Sequence, residues 1–281
     1  MNAFGWTDTQ HRRLKELDVG QDLLSACFNS AQDRNRAFQT VEKKAVKQAR
    51  DHLQHFLSNG LRPRLCNLKS QLVETLNRLG FAQVVTPTIM SRDQLGKMSI
   101  DDDHPLCRQI YWLNQGQCLR PMLAPNLYSL MFDLGRFAER PIRFFEIGTC
   151  FRKESEGARH CSEFTMLNLV EMGLAKEDRQ ERMLELGRKI VQVAGIADYT
   201  FEGEASEVYG NTLDILAGPR NIEIASGAMG PHVLDATWRV TDTWIGWGFG
   251  LERLVMAAEA NDSLGKWGKS LAYLDGIRLS I

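Results

Sequence analysis

A glycine-spaced segment near the C-terminus carries the residues best suited to chemistry. Residues 245–253 read Ile-Gly-Trp-Gly-Phe-Gly-Leu-Glu-Arg. Alternate residues of a β-strand share a face, so this spacing exposes bare backbone on which a flat ligand can lie. An apolar helix pattern follows and carries Arg253 in its first turn, where a guanidinium can pair with phosphates. The segment predicts a nucleotide site; a tight strand-to-helix turn with a structural arginine is the alternative.

A second candidate group lies upstream, where two strand-like segments flank a polar loop. Residues 143–151 are rich in aromatic and branched side chains, and they lead into Arg152, Lys153 and Glu154. The second segment, 163–172, completes a predicted hairpin in which Met166, Asn168 and Val170 share a face. Arg152 and Glu154 also share a face. They could bind an α-phosphate and an amino group, or simply form a cross-strand ion pair.

A third element precedes these two and could support an interface. Leucines at positions 65, 68, 72, 76 and 79 form one stripe of a predicted helix, which Gly80 ends. Residues 81–86 then read as a strand that Pro87 stops, as at a sheet edge. This combination could be ordinary packing or the surface of a two-fold dimer.

Taken in order, the three segments resemble the three signature motifs of class II aminoacyl-tRNA synthetases. Longer matches are similar to the pyrrolysyl-tRNA synthetase family, and they cover residues 120–128, 151–155, 163–169 and 244–246. The resemblance runs from about Leu61 to the C-terminus. It implies ATP-dependent ligation of pyrrolysine, or a bulky Nε-acylated lysine analogue, to an amber-reading tRNA through an aminoacyl-adenylate. It also implies a cytoplasmic homodimer.

The resemblance implies ATP and Mg²⁺ as cofactors and assigns their ligands. Arg152 and Arg253 would be catalytic, at the α-phosphate and near the γ-phosphate. Glu223 and Ser226 would bind Mg²⁺, which prefers hard oxygen ligands; a plain strand carboxylate is the alternative for Glu223, and an exposed loop histidine without function is the alternative for His160. The full ATP-binding set is Arg152, Glu154, His160, Phe164, Glu223, Ser226, Gly248, Gly250 and Arg253.

The resemblance also implies a deep amino-acid pocket. Its members are Ala124, Leu127, Tyr128, Met131, Asn168, Val170, Tyr209, Ala228, Trp244 and Gly246. Most are apolar, and each could instead belong to the core. Asn168 would be the principal polar group and bind the side-chain amide carbonyl of pyrrolysine, while Tyr209 would act as a mobile cover.

Composition limits the class of protein. The 281 residues carry a net charge of −1, and the N-terminal residues show no secretory pattern. No apolar run approaches the length of a membrane span, so we expect no membrane contact. Six scattered cysteines without a Cys-x-x-Cys pair argue against a zinc site and for reduced thiols.

We expect two regions. Residues 1–60 should form a helical extension, and 61–281 the class II catalytic domain, an α+β fold with a mostly antiparallel sheet flanked by helices. Lys43, Lys47 and Arg50 form a basic stripe that could contact tRNA or be a solvated face. Predicted strands cover 81–86, 109–113, 143–152, 163–172, 208–217, 221–227 and 245–249. Predicted helices cover 65–79, 125–137, 176–194 and 251–260.

Three departures from the family pattern leave the substrate range open. Trp247 lies between the motif glycines, where strand alternation predicts that it packs behind the sheet. Residues 161–162 and 228–229 also differ from the expected types. The alternatives are a class II enzyme for another bulky or aromatic amino acid, and a catalytically silent tRNA-binding paralogue. The motif residues are present, which disfavours the silent paralogue.

Overall fold

The computed structural model describes residues 4–153, 161–206, 210–261 and 263–281. The chain divides into two compact units. One contains the chain up to Arg64 together with Ser270–Ile281, and the other is Leu65–Lys269. The functional boundary predicted at residue 60 stays a prediction. By compactness alone, the units divide after Arg64, and residues 270–281 group with the N-terminal unit.

The described elements follow one another in a mixed α and β order. The helices are α1 (Asp8–Glu16), α2 (Gln21–Leu24), α3 (Ala31–Ser58), α4 (Arg64–Arg78), α5 (Arg92–Gly96), α6 (Ala124–Gly135), α7 (Arg179–Val193), α8 (Asp235–Trp238) and α9 (Leu251–Ala258). The strands are β1 (Ala82–Gln83), β2 (Ile89–Ser91), β3 (Gln117–Leu119), β4 (Ile142–Phe151), β5 (Glu163–Met172), β6 (Tyr199–Ser206), β7 (Gly210–Ala217), β8 (Ile222–Gly230), β9 (Trp244–Gly250), β10 (Tyr273–Leu274) and β11 (Ile277–Arg278). Short 3₁₀ turns cover Pro105–Gln109 and Leu264–Lys266.

The second unit is built on a seven-stranded sheet in the order β1-β4-β5-β9-β8-β7-β6. Only the β1–β4 pair of this sheet is parallel, and the other neighbours are antiparallel. The strand pairs β2–β3 and β10–β11 form separate small sheets. The predicted α+β architecture with a mostly antiparallel sheet is confirmed.

Individual elements depart from prediction at several places. The predicted strand 109–113 is wrong, because a 3₁₀ turn runs to Gln109 and Trp112 makes only an isolated bridge to Cys118. The predicted strand 81–86 is reduced to β1. Strands β2, β3 and β6 were not predicted. The beginning of the predicted strand 208–217 lies outside the described residues, and β7 is observed from Gly210.

The sheet separates two apolar clusters. Along β4, β5 and β9, odd-numbered buried residues belong to one cluster and even-numbered buried residues to the other, as the period of two requires. On one face, α4 and α7 contribute Leu72, Leu76 and Met183 to a cluster with Trp247. On the other face, α6 contributes Tyr128 and Met131 to a cluster with Trp244. Each strand face is thus fixed by buried side chains.

The N-terminal unit has a small aromatic core and an ionic contact between its helices. The Trp6 ring lies 4.5 Å from that of Phe28, and Arg13 Nε donates to Glu42 Oε1 at 2.9 Å. Among the described residues, no helix combines the length and apolar character that a bilayer crossing requires. All six cysteines are free thiols.

Candidate active site

A cavity of about 260 Å³ lies on one face of the sheet, between strands β5, β8 and β9 and helices α6 and α9. Every described residue predicted to bind ATP or the amino acid lines it: Ala124, Leu127, Tyr128, Met131, Arg152, Phe164, Asn168, Val170, Glu223, Ser226, Ala228, Trp244, Gly246, Gly248, Gly250 and Arg253. Three further predicted residues, Glu154, His160 and Tyr209, lie outside the described residues. Positions scattered over more than a hundred residues of sequence thus meet in one place.

Strand register places the predicted residues in rows across the cavity floor. One row is Asn168, Gly248 and Ser226, and the adjacent row is Val170, Gly246 and Ala228. Each row passes from β5 through the glycine strand β9 to β8. The middle of each row carries no side chain, so a ligand can approach the backbone there.

The fold itself has room for a Cβ at Gly248 and Gly250, and a tighter fit at Gly246. A Cβ on Gly246 or Gly248 would come no closer than 3.3 Å and 3.4 Å, respectively, to its nearest neighbour. At Gly250 the nearest atom would be 3.6 Å away. In contrast, a Cβ on Gly227 would lie 2.3 Å from Met183 Cε. Packing explains Gly227, whereas packing does not require glycine at positions 248 and 250.

Glu223 and Ser226 share a face only because β8 contains a bulge. Residues three apart in a regular strand point to opposite faces, yet both of these line the cavity. The pairing of β8 with β7 shifts between Ile215 and Leu216, which leaves Ile224 as an extra residue. A β-bulge of this kind restores the phase of the strand. The carboxylate and the hydroxyl are thereby brought to the same cavity.

Two neighbours order this oxygen pair. Ser226 Oγ donates to Asp214 Oδ1 at 2.7 Å. Arg253 Nη1 donates to the Glu223 carbonyl at 3.0 Å and lies 3.5 Å from Glu223 Oε1. Arg253 and Glu223 are partly exposed, so their Coulomb attraction is screened and weak. The guanidinium therefore remains available to an anionic ligand.

Arg152 is held at the opposite side of the strand floor. Its Nε donates to the Pro121 carbonyl at 2.9 Å, and its guanidinium carbon lies 5.3 Å from the centre of the Phe164 ring. Behind it, the buried Arg120 pairs with Glu146 at 2.8 Å. A backbone carbonyl and an aromatic ring thus fix the guanidinium before any ligand binds.

Glu252 is a buried carboxylate that the sequence analysis did not single out. It lies in the first turn of α9 and lines the cavity. Its two oxygens accept the Thr165 backbone N–H, each at 2.9 Å. Burial raises the pKa of the Glu252 carboxyl, while the Thr165 N–H and Lys269 oppose that rise. The residue connects α9 to β5 below the two arginines.

The other end of the cavity is apolar, with one unsatisfied amide. Leu127, Tyr128 and Met131 are buried on α6, and Trp244 closes the wall. Asn168 extends from β5 toward the same space. Its Oδ1 is buried and has no hydrogen-bond partner, and assignment of the amide oxygen and nitrogen follows the surrounding network. A buried amide oxygen without a partner indicates a site for a polar ligand group.

Known proteins are similar to this chain in sequence and in fold. The family model "tRNA synthetases class II core domain (F)" matches residues 52–264. The chain is 48% identical to the crystal structure of pyrrolysyl-tRNA synthetase from Desulfitobacterium hafniense, over 99% of both chains and with a TM-score of 0.92. The chain belongs to the pyrrolysyl-tRNA synthetase family. It is an aminoacyl-tRNA ligase of class II, with an amino acid and a tRNA as partners.

Two further structures are similar to the chain, one in sequence and fold and the other in fold alone. A structure of PylSc, a pyrrolysyl-tRNA synthetase from the same organism, is 46% identical over 99% of this chain and 96% of that one, with a TM-score of 0.88. An ATP phosphoribosyltransferase regulatory subunit/histidyl-tRNA synthetase from Bacillus halodurans C has 13% identity and a TM-score of 0.57, over 69% of this chain and 79% of that one. The second similarity concerns the fold alone.

Trp247 occupies the position that strand alternation predicted for it in this pyrrolysyl-tRNA synthetase family member. The side chain is 1% exposed and belongs to the cluster behind the sheet. Its Nε1 donates to the Met183 carbonyl of α7 at 2.8 Å. The indole therefore does not fill the cavity on the glycine face.

Sequence reasoning missed three acidic residues around the site of this synthetase: Asp214, Glu252 and Asp235. Glu252 directly precedes Arg253, and that adjacency could have drawn attention to it. Asp214 lies opposite Ser226 in the register of β7 and β8, and this pairing brings its carboxylate within hydrogen-bond distance of the Ser226 hydroxyl. Asp235 reaches Tyr128 across 107 residues of sequence. No local pattern reveals the last two contacts.

Proposed function

We propose that this synthetase activates pyrrolysine, or lysine with a bulky Nε-acyl group, and transfers it to an amber-reading tRNA. The observation that carries the proposal is the buried, unpartnered Asn168 Oδ1 beside an apolar pocket. A pocket for phenylalanine needs no such amide. The resemblance to synthetases named for pyrrolysine supports the same substrate.

The chemistry of Asn168 suits a secondary amide in the substrate. Its NH₂ can donate to the substrate carbonyl, while its Oδ1 accepts from an N–H. Leu127, Met131 and Val170 leave the surrounding space apolar, and the small Ala124 leaves room for a long side chain. A site built to bind a polar group discriminates strongly against analogues that lack it, because its own group is then left unpaired.

The nucleotide end fits ATP as the second substrate. We assign the base to the bare backbone around Gly248 and Gly250. Arg152 contacts the α-phosphate in this proposal, and Arg253 contacts the terminal phosphates. The predicted contribution of Glu154 to adenine binding, and that of His160, remain predictions. Both guanidiniums line the cavity in which the triphosphate would lie.

The donor set of Glu223 and Ser226 fits Mg²⁺. Both contribute oxygen, the element that this ion prefers. Glu223 and Ser226 would hold the ion together with phosphate oxygens of ATP and water, since Mg²⁺ is usually bound by one or two protein groups plus substrate phosphates. Bound Mg²⁺ neutralises charge on the phosphates.

The reaction needs charge stabilisation and positioning rather than a protein nucleophile. A carboxylate oxygen of the amino acid attacks the α-phosphorus, and the bond to the bridging oxygen breaks as pyrophosphate leaves. Arg152 opposes the negative charge that develops on the α-phosphoryl oxygens. A ribose hydroxyl of tRNA then attacks the adenylate carbonyl and releases AMP. Pre-positioning of Arg152 by the Pro121 carbonyl reduces reorganisation during the first step.

We further propose a cytoplasmic homodimer. Val85 is 88% exposed and Ile89 is 49% exposed, and these residues flank the proline that ends the predicted edge strand. Apolar exposure beside a sheet edge is typical of a self-complementary interface. Sedimentation equilibrium of the purified chain checks the dimer.

Amino-acid-dependent exchange of pyrophosphate into ATP tests the substrate. The assay compares pyrrolysine, Nε-acyl-lysines and the twenty standard amino acids on the wild-type chain and on Asn168→Ala. We expect exchange only with amide-bearing lysine derivatives, and a loss of about tenfold or more with Asn168→Ala, because one buried polar partner disappears.

A matched pair of substrates isolates the amide contact. An Nε-acyl-lysine is compared with an analogue of equal length in which a CH₂ replaces the amide N–H. The wild type should prefer the amide, and Asn168→Ala should lose that preference. Exposed Asn77→Ala on α4 serves as the control and should behave as wild type. Exchange by the wild type with a standard aromatic amino acid instead would overturn the substrate.

A further inference from the structure

Asp235 lies behind the wall of the amino-acid pocket and contacts two of its aromatic residues. It begins α8 and is 5% exposed. Tyr128 Oη donates to Asp235 Oδ1 at 3.2 Å, and Trp244 Nε1 donates to the same oxygen at 3.0 Å. The His232 backbone N–H donates to Oδ2 at 2.6 Å. One carboxylate therefore accepts from two pocket side chains and closes its own turn.

Packing against neighbouring rings also restricts the orientations of Tyr128 and Trp244. Tyr128 stacks on Trp238 with 5.4 Å between centroids and meets Trp244 edge to face at 5.7 Å. A Cβ on Gly230 would lie 1.9 Å from Trp244 Nε1, which shows how closely the indole covers the strand. The polar tips of both rings need a buried acceptor, and Asp235 provides it.

Asp235 acts on the pocket only through these neighbours. It does not line the cavity, whereas Tyr128 and Trp244 do. Moving either ring changes the width of the space next to Ala228 and Val170. A buried carboxylate that holds two wall residues in one orientation therefore determines which side chains fit.

We propose that Asp235 is a positioning residue that sets the amino-acid specificity of this synthetase. The proposal rests on the proposed function, which assigns Tyr128 and Trp244 to the amino-acid pocket. An Asp235 that holds both donors keeps the wall rigid. When one donor loses its acceptor, the corresponding ring gains rotamers, and the pocket discriminates less between short and long acyl groups.

Asp235→Asn is the direct test, because it keeps the size of the side chain and replaces one acceptor oxygen by an NH₂ group. Pyrophosphate exchange is measured with a short and a long Nε-acyl-lysine, with KM determined for amino acid and for ATP. We expect the KM for the amino acid to rise about fivefold or more, the scale of one lost hydrogen bond. We expect the KM for ATP to change less than about twofold, and the long-to-short preference to narrow.

Asp242→Asn is the matched control. Asp242 accepts from Arg140 Nε at 3.2 Å and from Nη2 at 2.7 Å, and it does not line the cavity. This variant should retain both KM values and the acyl preference. If Asp235→Asn does not fold, as judged by circular dichroism and thermal melting, Tyr128→Phe removes the hydrogen bond between Tyr128 and Asp235 directly. It should narrow the acyl preference in the same direction.

The outcomes separate this proposal from the proposed function. Equal losses of kcat with both substrates, or an unchanged acyl preference in a folded Asp235→Asn or Tyr128→Phe, would overturn the positioning role. Wild-type exchange with a different amino acid would overturn the proposed substrate instead. The KM comparison is then made with that amino acid and its nearest analogue, and it judges the role of Asp235 independently.

Discussion

Two glycines on β8 pair with two tryptophans on β9, and each tryptophan packs on a different face of the sheet. Gly227 is paired with Trp247 and Gly230 with Trp244. The tryptophans are three residues apart and therefore point to opposite faces. A Cβ on either glycine would lie within 2.6 Å of its partner indole. These glycines are required by packing, unlike those of the cavity floor.

Substitution by alanine should lower activity at a glycine of the cavity floor and lower stability at a glycine that is required by packing. Gly248→Ala adds a methyl group whose nearest protein atom is 3.4 Å away, so the free energy of unfolding should change by less than about 1 kcal/mol. Adenylate formation should fall about tenfold or more, because the methyl group occupies ligand space. Urea denaturation and pyrophosphate exchange measure the two effects.

Gly227→Ala provides the contrast in the same pair of strands. Its methyl group would overlap Met183 Cε and the Trp247 indole, so unfolding should become easier by about 1–3 kcal/mol. Gly203→Ala on β6 meets nothing within 4 Å and controls for the loss of glycine flexibility. A Gly248→Ala variant with normal exchange would contradict ligand contact at the bare strand.

At the scale of elements, the Glu252 side chain continues the hydrogen bonding of the β5–β9 strand pair beyond the last paired residues. The β5–β9 ladder ends with Met166 opposite Gly250. The next N–H along β5, that of Thr165, is bound by Glu252 from the first turn of α9. The strand-to-helix turn is thereby anchored to the hairpin strand that carries Asn168.

This anchor predicts a pH dependence of stability. Burial raises the pKa of Glu252 in the folded chain, so the folded state binds a proton more tightly than the unfolded state. The contribution of Glu252 is therefore fully present at low pH and is lost as pH rises through the folded pKa. Glu252→Gln should remove this loss, since its amide oxygen can still accept the Thr165 N–H.

Urea denaturation from about pH 4 to about pH 8 tests the sign. The free energy of unfolding of Glu252→Gln, relative to wild type, should increase as pH rises. Glu74→Gln on α4 is the control, because Glu74 is 70% exposed and its replacement should leave that difference flat. A relative stability that decreases with pH would show that the carboxylate is favoured in the folded state.

The sequence predicts most elements of the site but not the contacts between them. The period of two predicts which face of β5 carries Asn168 and which face of β9 the motif glycines leave bare. The pairing of β5 with β9 then places these residues side by side. The bulge at Ile224 could not be predicted, because it depends on how β8 pairs with β7. Asp235 was missed for a similar reason: its partners come from α6 and β9. The strand predicted at 109–113 is wrong because Gln109 ends a 3₁₀ turn and the following residues make only the isolated bridge of Trp112 to Cys118.

At the scale of the whole molecule, the chain consists of two units, and the N-terminal one carries a long basic helix. The N-terminal unit includes α3, whose Ala45 and Ala49 are buried while Lys43 and Lys47 are exposed. Residues 270–281 of the same unit contact α3, where Arg50 Nη2 donates to the Ile281 backbone carbonyl at 3.2 Å. The lysines are not needed for this packing. An exposed basic helix face in a tRNA ligase suits contact with phosphates.

We therefore expect Lys43→Ala/Lys47→Ala to weaken tRNA binding without affecting amino-acid activation. Each lost phosphate contact should reduce the slope of log K against log salt by about 0.7–0.9. Filter binding over a salt series and pyrophosphate exchange measure the two properties. Lys189→Ala, an exposed lysine on α7 of the other unit, is the control for charge alone. An unchanged salt slope in the double variant would assign this helix face to solvent, and the resulting tRNA contacts would then have to come from the catalytic unit.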